Sequence, residues 1–234
     1  MQVDHYDGFA DSYAAENASS LFNAYYDRPA MIRLAGDVRG RSILDAGCGT
    51  GPLTAELRTR GALMTGLDGS PAMLGHARRR LGDDVPLHVA DLARPLPFAD
   101  DSFDDVVSSL VLHYLEDWAA PLAEIHRVLK PGGRLILSVN HPTVRVVTDP
   151  DEDYFATTQF SDEFELAGER AVLTFWHRPL HAMFDAFAGA GFRVRLLSEP
   201  PPAPDTPPEL LPPRIANGQR TAFVCFIYFV LEAD

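Results

Sequence analysis

The sequence predicts an α/β fold with helices packed on a mainly parallel sheet, and three observations support this class. Short apolar runs alternate with segments of helical periodicity between residues 41 and 140. Such alternation is typical of parallel strands joined by right-handed helical crossovers. The first apolar run ends in a turn that contains three glycines. The chain has 234 residues and is 46% apolar, which suffices for one large domain or a core with a small addition.

The elements can be assigned in chain order. Apolar residues recur at helical spacing in residues 1–40, which predicts two helices that form an N-terminal helical cap. The expected strands are 42–46, 63–67, 86–90, 104–109 and 133–139. The expected helices between them are 52–60, 71–81 and 119–129. Ser70 is a suitable cap for the second of these helices, and Pro71 suits its first turn.

The regular alternation stops after the fifth strand. Residues 142–176 predict an insertion with short β-like runs at 143–147 and 171–176, and a helix near 179–190 and a strand at 192–198 follow. Eight of the fifteen residues in 199–213 are proline, which predicts a stiff extended loop. Residues 221–232 are almost continuously apolar and predict a strand buried on both faces. We therefore divide the chain into the cap, 1–40, and a main domain, 41–234, that carries the insertion and the proline-rich loop.

Composition limits the classes of partner. The formal net charge of -13 argues against nucleic acid, because phosphate backbones are bound by clustered lysine and arginine. The sequence contains no apolar run of eighteen residues and no basic-then-apolar start, so we expect neither a membrane span nor a secretory signal. Cys48 and Cys225 lie in apolar contexts, as expected of a reduced cytoplasmic protein. We expect a monomer or a homodimer. The acids at 100–105 are interpreted as a solvated turn.

The glycine-rich turn is the strongest indication of a ligand. It follows the first strand in the sequence ILDAGCGTG, 43–51, and a second apolar run ends at Asp68 and Gly69. Glycines let the backbone approach a ligand closely, and the helix that follows presents unpaired N–H groups. An acid about 20 residues after such a turn can accept hydrogen bonds from ribose hydroxyls. The pattern therefore predicts a site for an adenosine-bearing ligand.

The spacing of the glycines argues against a dinucleotide. The nicotinamide fingerprint is G-x-G-x-x-G, whereas this chain has Gly47, Gly49 and Gly51 at alternate positions and then Pro52. A nicotinamide-dependent oxidoreductase therefore ranks third among our interpretations. We expect such an enzyme, unlike this one, to bind NADH.

Four blocks in order resemble the class I S-adenosylmethionine-dependent methyltransferases, particularly the type 11 small-molecule group. The blocks are ILDAGCGTG at 43–51, GLDGSPAML at 66–74, ADLARPLPFADDSFDDVVSS at 90–109 and HRVLKPGGRLILS at 126–138. The resemblance implies a Rossmann-like, doubly wound, seven-stranded sheet of order 3-2-1-4-5-7-6 with the seventh strand antiparallel. It also implies S-adenosylmethionine as cofactor. We expect no metal site, because the end of the fifth strand offers Asn140 and His141 instead of paired carboxylates and no His/Asp cluster appears elsewhere.

The resemblance assigns roles to the residues that match its motifs. The loop residues and the acid before them would meet the methionine part of the cofactor: Asp45, Ala46, Gly47, Cys48, Gly49 and Gly51. Asp68, with Gly69, would hold the ribose, and Met73 would pack on the adenine. Asp91 would bind the adenine amino group and the Leu92 N–H a ring nitrogen. The methionine end would be lined by Ser109, Leu110 and His113, and closed by Tyr6 and Tyr13.

The acceptor site is expected where the cap, the insertion and the proline-rich loop meet at the carboxyl ends of the strands. These segments are rich in aromatic residues and predict an enclosed pocket for an aromatic or hydrophobic small molecule. The candidate lining residues are Phe22, Tyr25, Tyr26, Tyr114, His141, Phe155, Trp176 and His177.

Methyl transfer requires a general base only where the acceptor must lose a proton. His141, directly after the fifth strand, is the first candidate, and His113 and His177 follow. We expect methylation of a small metabolite in bacterial specialised metabolism, with O-methylation narrowly ahead of N- or C-methylation. The alternative is a protein that binds S-adenosylmethionine for another reaction or for regulation.

Overall fold

The computed structural model describes residues 10–166 and 168–234. Within these ranges, seven strands form one sheet and two more form a separate hairpin. The strands are β1 (Ser42–Ala46), β2 (Leu63–Asp68), β3 (Leu87–Val89), β4 (Phe103–Ser109), β5 (Leu129–Asn140), β6 (Thr158–Leu166), β7 (Glu169–His177), β8 (Phe192–Ser198) and β9 (Phe226–Ala233).

The helices flank the strands in the expected order. They are α1 (Ala10–Ser19), α2 (Arg28–Ala35), α3 (Pro52–Thr59), α4 (Pro71–Leu81), α5 (Ala119–Val128), α6 (Thr143–Thr148), α7 (Leu180–Gly189) and α8 (Pro213–Ala216). A π-helical turn, Asn23–Asp27, joins α1 to α2, and short 3-10 turns lie at Leu112–Tyr114 and Pro208–Leu210. The Ser70 side chain accepts a hydrogen bond from the Met73 N–H at 3.1 Å, as predicted for the start of α4.

The sheet order is β3-β2-β1-β4-β5-β9-β8. The pairs from β3 to β5 are parallel, whereas β9 is antiparallel to both β5 and β8. Since β8 and β9 are the sixth and seventh strands of the expected sheet, the predicted order and the antiparallel seventh strand are confirmed. This order brings the carboxyl ends of β1, β2, β4 and β5 to one edge.

Two apolar layers cover the faces of the sheet. One layer packs α5 and α7 against the strands, and the other packs α2, α3 and α4 against the opposite face. Val106 and Val107 are neighbours in β4, yet they belong to opposite layers and both are fully buried. A strand covered on both faces explains why its sequence is continuously apolar at its centre.

The insertion after β5 has a helix where a strand-like run was expected. Residues Thr143–Thr148 form α6, so the β-like interpretation of 143–147 was wrong. Arg145 pairs with Asp149 across one turn at 2.9 Å, and the short helix follows directly from Pro142. Local context of this kind overrides the weak strand preference of β-branched residues. The run at 171–176 is a strand, as expected, and pairs with β6 as an antiparallel hairpin.

The last strand is shorter at its start than predicted. It begins at Phe226 instead of residue 221. Phe226 pairs with Asn140, where β5 ends, and Tyr228 pairs with Ser198, where β8 ends. Residues 221–225 therefore extend beyond both neighbouring strands and have no ladder to join. The proline-rich segment before them donates a hydrogen bond from the Ala203 N–H to the Tyr25 carbonyl at 2.7 Å.

The acidic turn before β4 is not simply solvated. Asp105 is fully buried and accepts hydrogen bonds from two arginines. The shortest N–O distance is 2.5 Å to Arg41 and 2.7 Å to Arg134. Asp104 pairs with Lys130 at 2.8 Å. These ion pairs lie at the amino end of β4, opposite the edge at which the candidate site is formed. They hold the sheet together and have no part in that site.

Candidate functional site

The glycine-rich loop is held against β2 by its own backbone. The N–H groups of Gly47 and Cys48 both donate to the Leu67 carbonyl, at 2.8 and 2.9 Å. Gly47 has φ +88°, and a Cβ added there would lie 2.3 Å from a methyl group of Val111. Glycine is therefore required at this position for both conformation and space. The loop leaves a cradle between β1 and the start of α3, where a Cβ added at Gly49 would meet nothing within 4 Å.

Asp68 lies beside this cradle. Its carboxylate accepts hydrogen bonds from the Gly49 N–H at 2.9 Å and from the Ser70 N–H at 2.8 Å. Two backbone donors thus orient the acid at the carboxyl end of β2. The arrangement brings together the loop and the acid that the spacing predicted for ribose recognition, and it leaves Gly69 buried between them.

Asp45 and Ala46 support the loop from below. Both are buried, and the Thr54 hydroxyl donates to Asp45 at 2.5 Å. Burial, together with the nearby Asp68 carboxylate, raises the pKa of Asp45 to about 7. Cys48 is also buried, and burial raises the pKa of its thiol well above the usual value. The thiol is therefore not activated as a nucleophile.

The expected adenine side lies beyond β2. Met73 and Leu92 are each 2% exposed, in the first turn of α4 and directly after β3. The Asp91 carboxylate accepts a hydrogen bond from the Ala93 N–H at 2.9 Å, which orients it within the turn. Since β3 neighbours β2 in the sheet, these residues lie on the same side of the loop as Asp68.

The turn after β4 has an unusual backbone. Leu110 adopts φ +57°, a conformation that non-glycine residues seldom take. Its N–H donates to both the carbonyl and the hydroxyl of Ser138 at 3.0 Å, and these bonds hold the turn. The turn directs Val111 against Gly47 and places His113 under the insertion. A strained residue held by its surroundings is typical of ligand sites.

Asp27 is a buried acid that sequence reasoning missed. It is 2% exposed, and the Ser109 hydroxyl donates to its Oδ2 at 2.5 Å. The hydroxyls of Ser138 and Tyr228 lie near, yet Oδ1 has no hydrogen bond to any described residue. Burial raises the pKa of Asp27 to about 6. A single acid in a helical segment carries no signal of its own, so only the fold could reveal its place at the end of β4.

A cavity of about 600 Å³ opens beside the turn after β4. Its walls come from the π-helical turn, the carboxyl ends of β4 and β5, α6, and the inner face of the β6–β7 hairpin. Among the predicted site residues, those that line it are Phe22, Leu110, His113, Tyr114, His141, Trp176 and His177. Phe160 and Phe175, two of the aromatic residues expected around the acceptor, also line it. Lining residues that were not candidates for the acceptor pocket include Asn140, Arg145 and Cys225.

Several predicted site residues lie elsewhere. Tyr26 is 1% exposed and stacks on Phe226 within the core, with ring centroids 5.6 Å apart. Phe155 is 73% exposed, and Tyr25 is outside the cavity lining. Aromatic residues at helical spacing face the core as readily as a ligand, which is why the pattern could not separate them. Tyr6 and the side chain of Tyr13 lie outside the described residues.

Three histidines line the cavity, and each has a defined hydrogen bond. His141 accepts from the Thr143 N–H through Nδ1 at 3.1 Å, and its Nε2 lies 2.8 Å from Glu199. His113 accepts from the Asn140 N–H through Nδ1 at 3.0 Å, and burial lowers its pKa to about 3. The Nε2 of His177 lies 2.8 Å from the Tyr154 carbonyl oxygen. The first candidate base, His141, therefore has partners at both ring nitrogens.

The residues present fit S-adenosylmethionine. The glycine cradle would admit the methionine part, and Asp68 is held where ribose hydroxyls would reach it. The described residues contain no cluster of three His, Cys, Asp or Glu that could hold a metal, and no described helix could span a membrane.

Comparison with known proteins identifies the family. Residues 44–137 match the methyltransferase domain family. The demethylmenaquinone methyltransferase of Clavibacter sepedonicus is 40% identical over 134 residues, which are 56% of this chain and 55% of that protein. The ubiquinone/menaquinone biosynthesis C-methyltransferase of Desulfotalea psychrophila is 34% identical over 128 residues, 53% of this chain and 52% of that protein. The chain thus spans about half the length of the curated relatives it matches.

The whole fold is shared with a solved structure. The S-adenosylmethionine-dependent methyltransferase from Mesorhizobium loti is 26% identical, with a TM-score of 0.66 over 87% of this chain and 96% of that chain. The matched domain, the strand order and the glycine loop beside Asp68 agree with one another. The domain matched at residues 44–137 and the shared fold are those of the class I S-adenosylmethionine-dependent methyltransferases.

Proposed function

We propose that the protein methylates a ring carbon of a small hydroxylated aromatic compound of the quinol or naphthol class. The observation that carries this proposal is the cavity of about 600 Å³ whose walls are mainly apolar and aromatic. Phe160, Phe175 and Tyr114 form part of these walls, and Phe175 lies 5.1 Å from Tyr114 and 5.5 Å from Phe160 between ring centroids. Such walls suit a flat aromatic acceptor.

The polar groups in the cavity suit an acceptor that carries oxygen. His113, Asn140 and His177 lie among the aromatic walls, where a few convergent polar groups would orient a hydroxyl or carbonyl. Arg145 stacks over Phe160 at 4.5 Å and pairs with Asp149, so its charge is already compensated. The cavity therefore favours a neutral or weakly acidic acceptor over a strongly charged one.

The choice of carbon over oxygen rests on the relatives. Both curated relatives reported above are named for quinone biosynthesis, and one is named a C-methyltransferase. The sequence pattern narrowly favoured O-methylation, but neither of these names supports that preference. Carbon and oxygen methylation both begin from an ionised hydroxyl, so the same cavity chemistry serves either outcome.

When bound, S-adenosylmethionine supplies a methyl group already activated by the positive charge of a sulfonium. Asp68 would hold its ribose, and the Gly47–Gly51 backbone would receive its methionine part. The turn at Leu110 and the adjoining His113 would then separate cofactor from acceptor and set the line of approach. Positioning of this kind contributes about 7–11 kcal/mol in well-oriented model reactions.

Incubation of the purified protein with labelled S-adenosylmethionine and a set of hydroxylated arenes tests the proposal. The set contains 1-naphthol, 1,4-dihydroxynaphthalene and catechol. We expect the label in a ring methyl group of at least one naphthol, as identified by mass spectrometry and NMR. A methoxy product would refute carbon methylation, and tight cofactor binding without any labelled product would favour another reaction or a regulatory role.

Asp68→Ala supplies the control for the cofactor site. Loss of a charged hydrogen-bond partner should weaken S-adenosylhomocysteine binding by about 1.5–3 kcal/mol. Calorimetric titration measures this directly. An unchanged dissociation constant would show that Asp68 does not hold the ribose.

A further inference from the structure

The hydrogen bond made by His177 determines which of its ring nitrogens carries hydrogen. His177 is the last residue of β7, is 5% exposed and lines the cavity. Its Nε2 lies 2.8 Å from the carbonyl oxygen of Tyr154. A carbonyl oxygen only accepts hydrogen bonds, so Nε2 is the donor. In the neutral imidazole, Nδ1 then holds a lone pair.

That lone pair opens on the cavity. Within the described part of the chain, Nδ1 of His177 makes no hydrogen bond, and it is not among the buried polar atoms that lack a partner. It is therefore not fully enclosed by protein, and the cavity that this ring lines is the space available to it. The Tyr154 ring lies 5.6 Å from the imidazole, and the hydroxyl of Tyr154 accepts from the Leu180 N–H. Tyr154, whose carbonyl accepts the His177 hydrogen bond, is thereby held in place.

The other two histidines that line the cavity, His113 and His141, already use the lone pair of the ring nitrogen in a hydrogen bond. Nδ1 of His113 accepts from the Asn140 N–H, so its Nε2 carries hydrogen and can only donate. Nδ1 of His141 accepts from the Thr143 N–H, and its Nε2 is engaged by Glu199. Neither ring offers a lone pair to an acceptor molecule without first losing an existing bond. His177 does.

We infer that His177 is a catalytic residue whose Nδ1 takes the hydroxyl proton of the acceptor, while His113 donates a hydrogen bond within the same cavity. This inference rests on the proposed function. It replaces His141, the first candidate from sequence, with His177, a later candidate at the end of β7. The hairpin β6–β7 then supplies chemistry to the site as well as a wall.

The proton and electron balance is complete for a naphthol acceptor. The hydroxyl proton passes to Nδ1 of His177, and the electron pair left on oxygen is delocalised to the neighbouring ring carbon. That carbon forms the new bond to the methyl carbon, and the pair of the methyl–sulfur bond stays on sulfur. The ring carbon then releases its own hydrogen as a proton, and the oxygen recovers the proton held by His177. The net result is one methyl group gained and one proton released.

His177→Gln separates a base from a structural residue. The glutamine amide can donate to the Tyr154 carbonyl but offers no basic nitrogen. The variant is assayed with 1-naphthol, which keeps its proton at neutral pH, and with 4-nitro-1-naphthol, which is already ionised. We expect turnover of 1-naphthol to fall about 10²–10⁴-fold, while turnover of the ionised acceptor stays close to that of the wild type. An equal loss with both acceptors would overturn the inference, since it would indicate a structural role.

His181→Gln is the matched control, because His181 is an exposed histidine of α7 outside the cavity lining. His181→Gln should leave unchanged the turnover of 1-naphthol, the turnover of 4-nitro-1-naphthol and the affinity for S-adenosylhomocysteine. His177→Gln should also leave that affinity unchanged.

Nitrogen NMR of the histidine-labelled protein tests the inference without any turnover. We expect His177, assigned by the loss of its signals in His177→Gln, to carry hydrogen on Nε2 and a bare Nδ1 at neutral pH. Hydrogen on Nδ1 would overturn the inference. If this tautomer is found but the wild type methylates no arene, the proposed acceptor class is wrong, whereas the placement of the lone pair on Nδ1 still stands.

Discussion

Asp27 illustrates how a single side chain acquires its properties from distant contacts. It follows Tyr26 in a helical segment, where the sequence pattern gives no reason to single it out. The π-helical turn directs it toward Ser109 at the end of β4, 82 residues away along the chain. Burial there raises its pKa to about 6. Its proton affinity is therefore a product of tertiary structure.

The raised pKa of Asp27 predicts a pH dependence of stability. The folded state holds the proton up to about pH 6, whereas the unfolded chain releases it near the ordinary value of 3.8. Proton binding therefore favours the folded state, and the free energy of unfolding falls as pH rises between these values. Asp27→Asn removes this contribution. We expect the variant to be more stable than the wild type at pH 7.5, by roughly 2–3 kcal/mol.

Urea unfolding at pH 4.0 and 7.5 measures the effect. The advantage of Asp27→Asn should shrink strongly at the lower pH, where the folded carboxyl is protonated and the unfolded one, with a pKa of 3.8, is close to half protonated. Asp185→Asn, at an exposed position of α7, is the control and should change little at either pH. A stability difference for Asp27→Asn that does not vary with pH would contradict the assignment of a buried, proton-holding carboxyl. Asp45, also buried with a raised pKa, contributes a slope of the same sign that this variant retains.

The glycine-rich loop shows what local pattern can predict about an element. Its position between strand and helix followed from the order of apolar and glycine residues, and the structure has it between β1 and α3. Its tight packing was not predictable, because Val111 reaches Gly47 only after the turn at the end of β4 is formed. The cradle therefore depends on the contact between the glycine-rich loop and the turn after β4.

The close approach of Val111 to Gly47 predicts that alanine lowers the free energy of unfolding by different amounts at two glycines. Gly47 and Gly82 both have positive φ, +88° and +74°, but an added Cβ would meet Val111 at the first and nothing within 4 Å at the second. Gly82→Ala should therefore cost only the backbone strain, about 1–3 kcal/mol, because Gly82 combines its positive φ with ψ -169°. Gly47→Ala should cost about 1–3 kcal/mol more, because the methyl group overpacks the site.

Unfolding midpoints in urea compare these variants. Removal of the obstructing methyl groups in the double variant Gly47→Ala/Val111→Ala should restore part of the loss, beyond the sum of the single effects. An equal loss of stability in Gly47→Ala and Gly82→Ala would show that the close approach of Val111 to Gly47 does not affect stability.

Two element assignments were wrong for a common reason. Residues 143–147 carry β-branched side chains and 221–225 continue an apolar run, so both were interpreted as strands. A strand needs a neighbour to complete its hydrogen bonds. The first segment has a capping turn and an i,i+4 ion pair instead, and the second extends beyond the ends of β5 and β8. Sheet membership depends on partners that the local sequence does not contain.

At the scale of the whole molecule, the preference for S-adenosylmethionine over a dinucleotide predicts which ligands stabilise the folded protein. A ligand that binds only the folded state raises the free energy of unfolding by about 2.7 kcal/mol at one hundred times its dissociation constant. We expect S-adenosylhomocysteine to raise the unfolding temperature and NADH to leave it unchanged, because the glycine spacing departs from the dinucleotide pattern. Thermal unfolding with each ligand measures this. Stabilisation by NADH would return the oxidoreductase interpretation to consideration.

The sequence by itself determined the succession of strands and helices along the chain, the glycine loop and the acid at Asp68, because these depend on residues close together in the chain. The order of strands in the sheet came from the family resemblance. Tertiary structure decided the cavity, the burial of Asp27 and the hydrogen-bonding state of each histidine. These depend on contacts between segments far apart, such as His141 with Glu199, 58 residues away, and Ser109 with Asp27. A side chain's proton and its solvent exposure are set by neighbours in space, and only the folded chain brings those neighbours together.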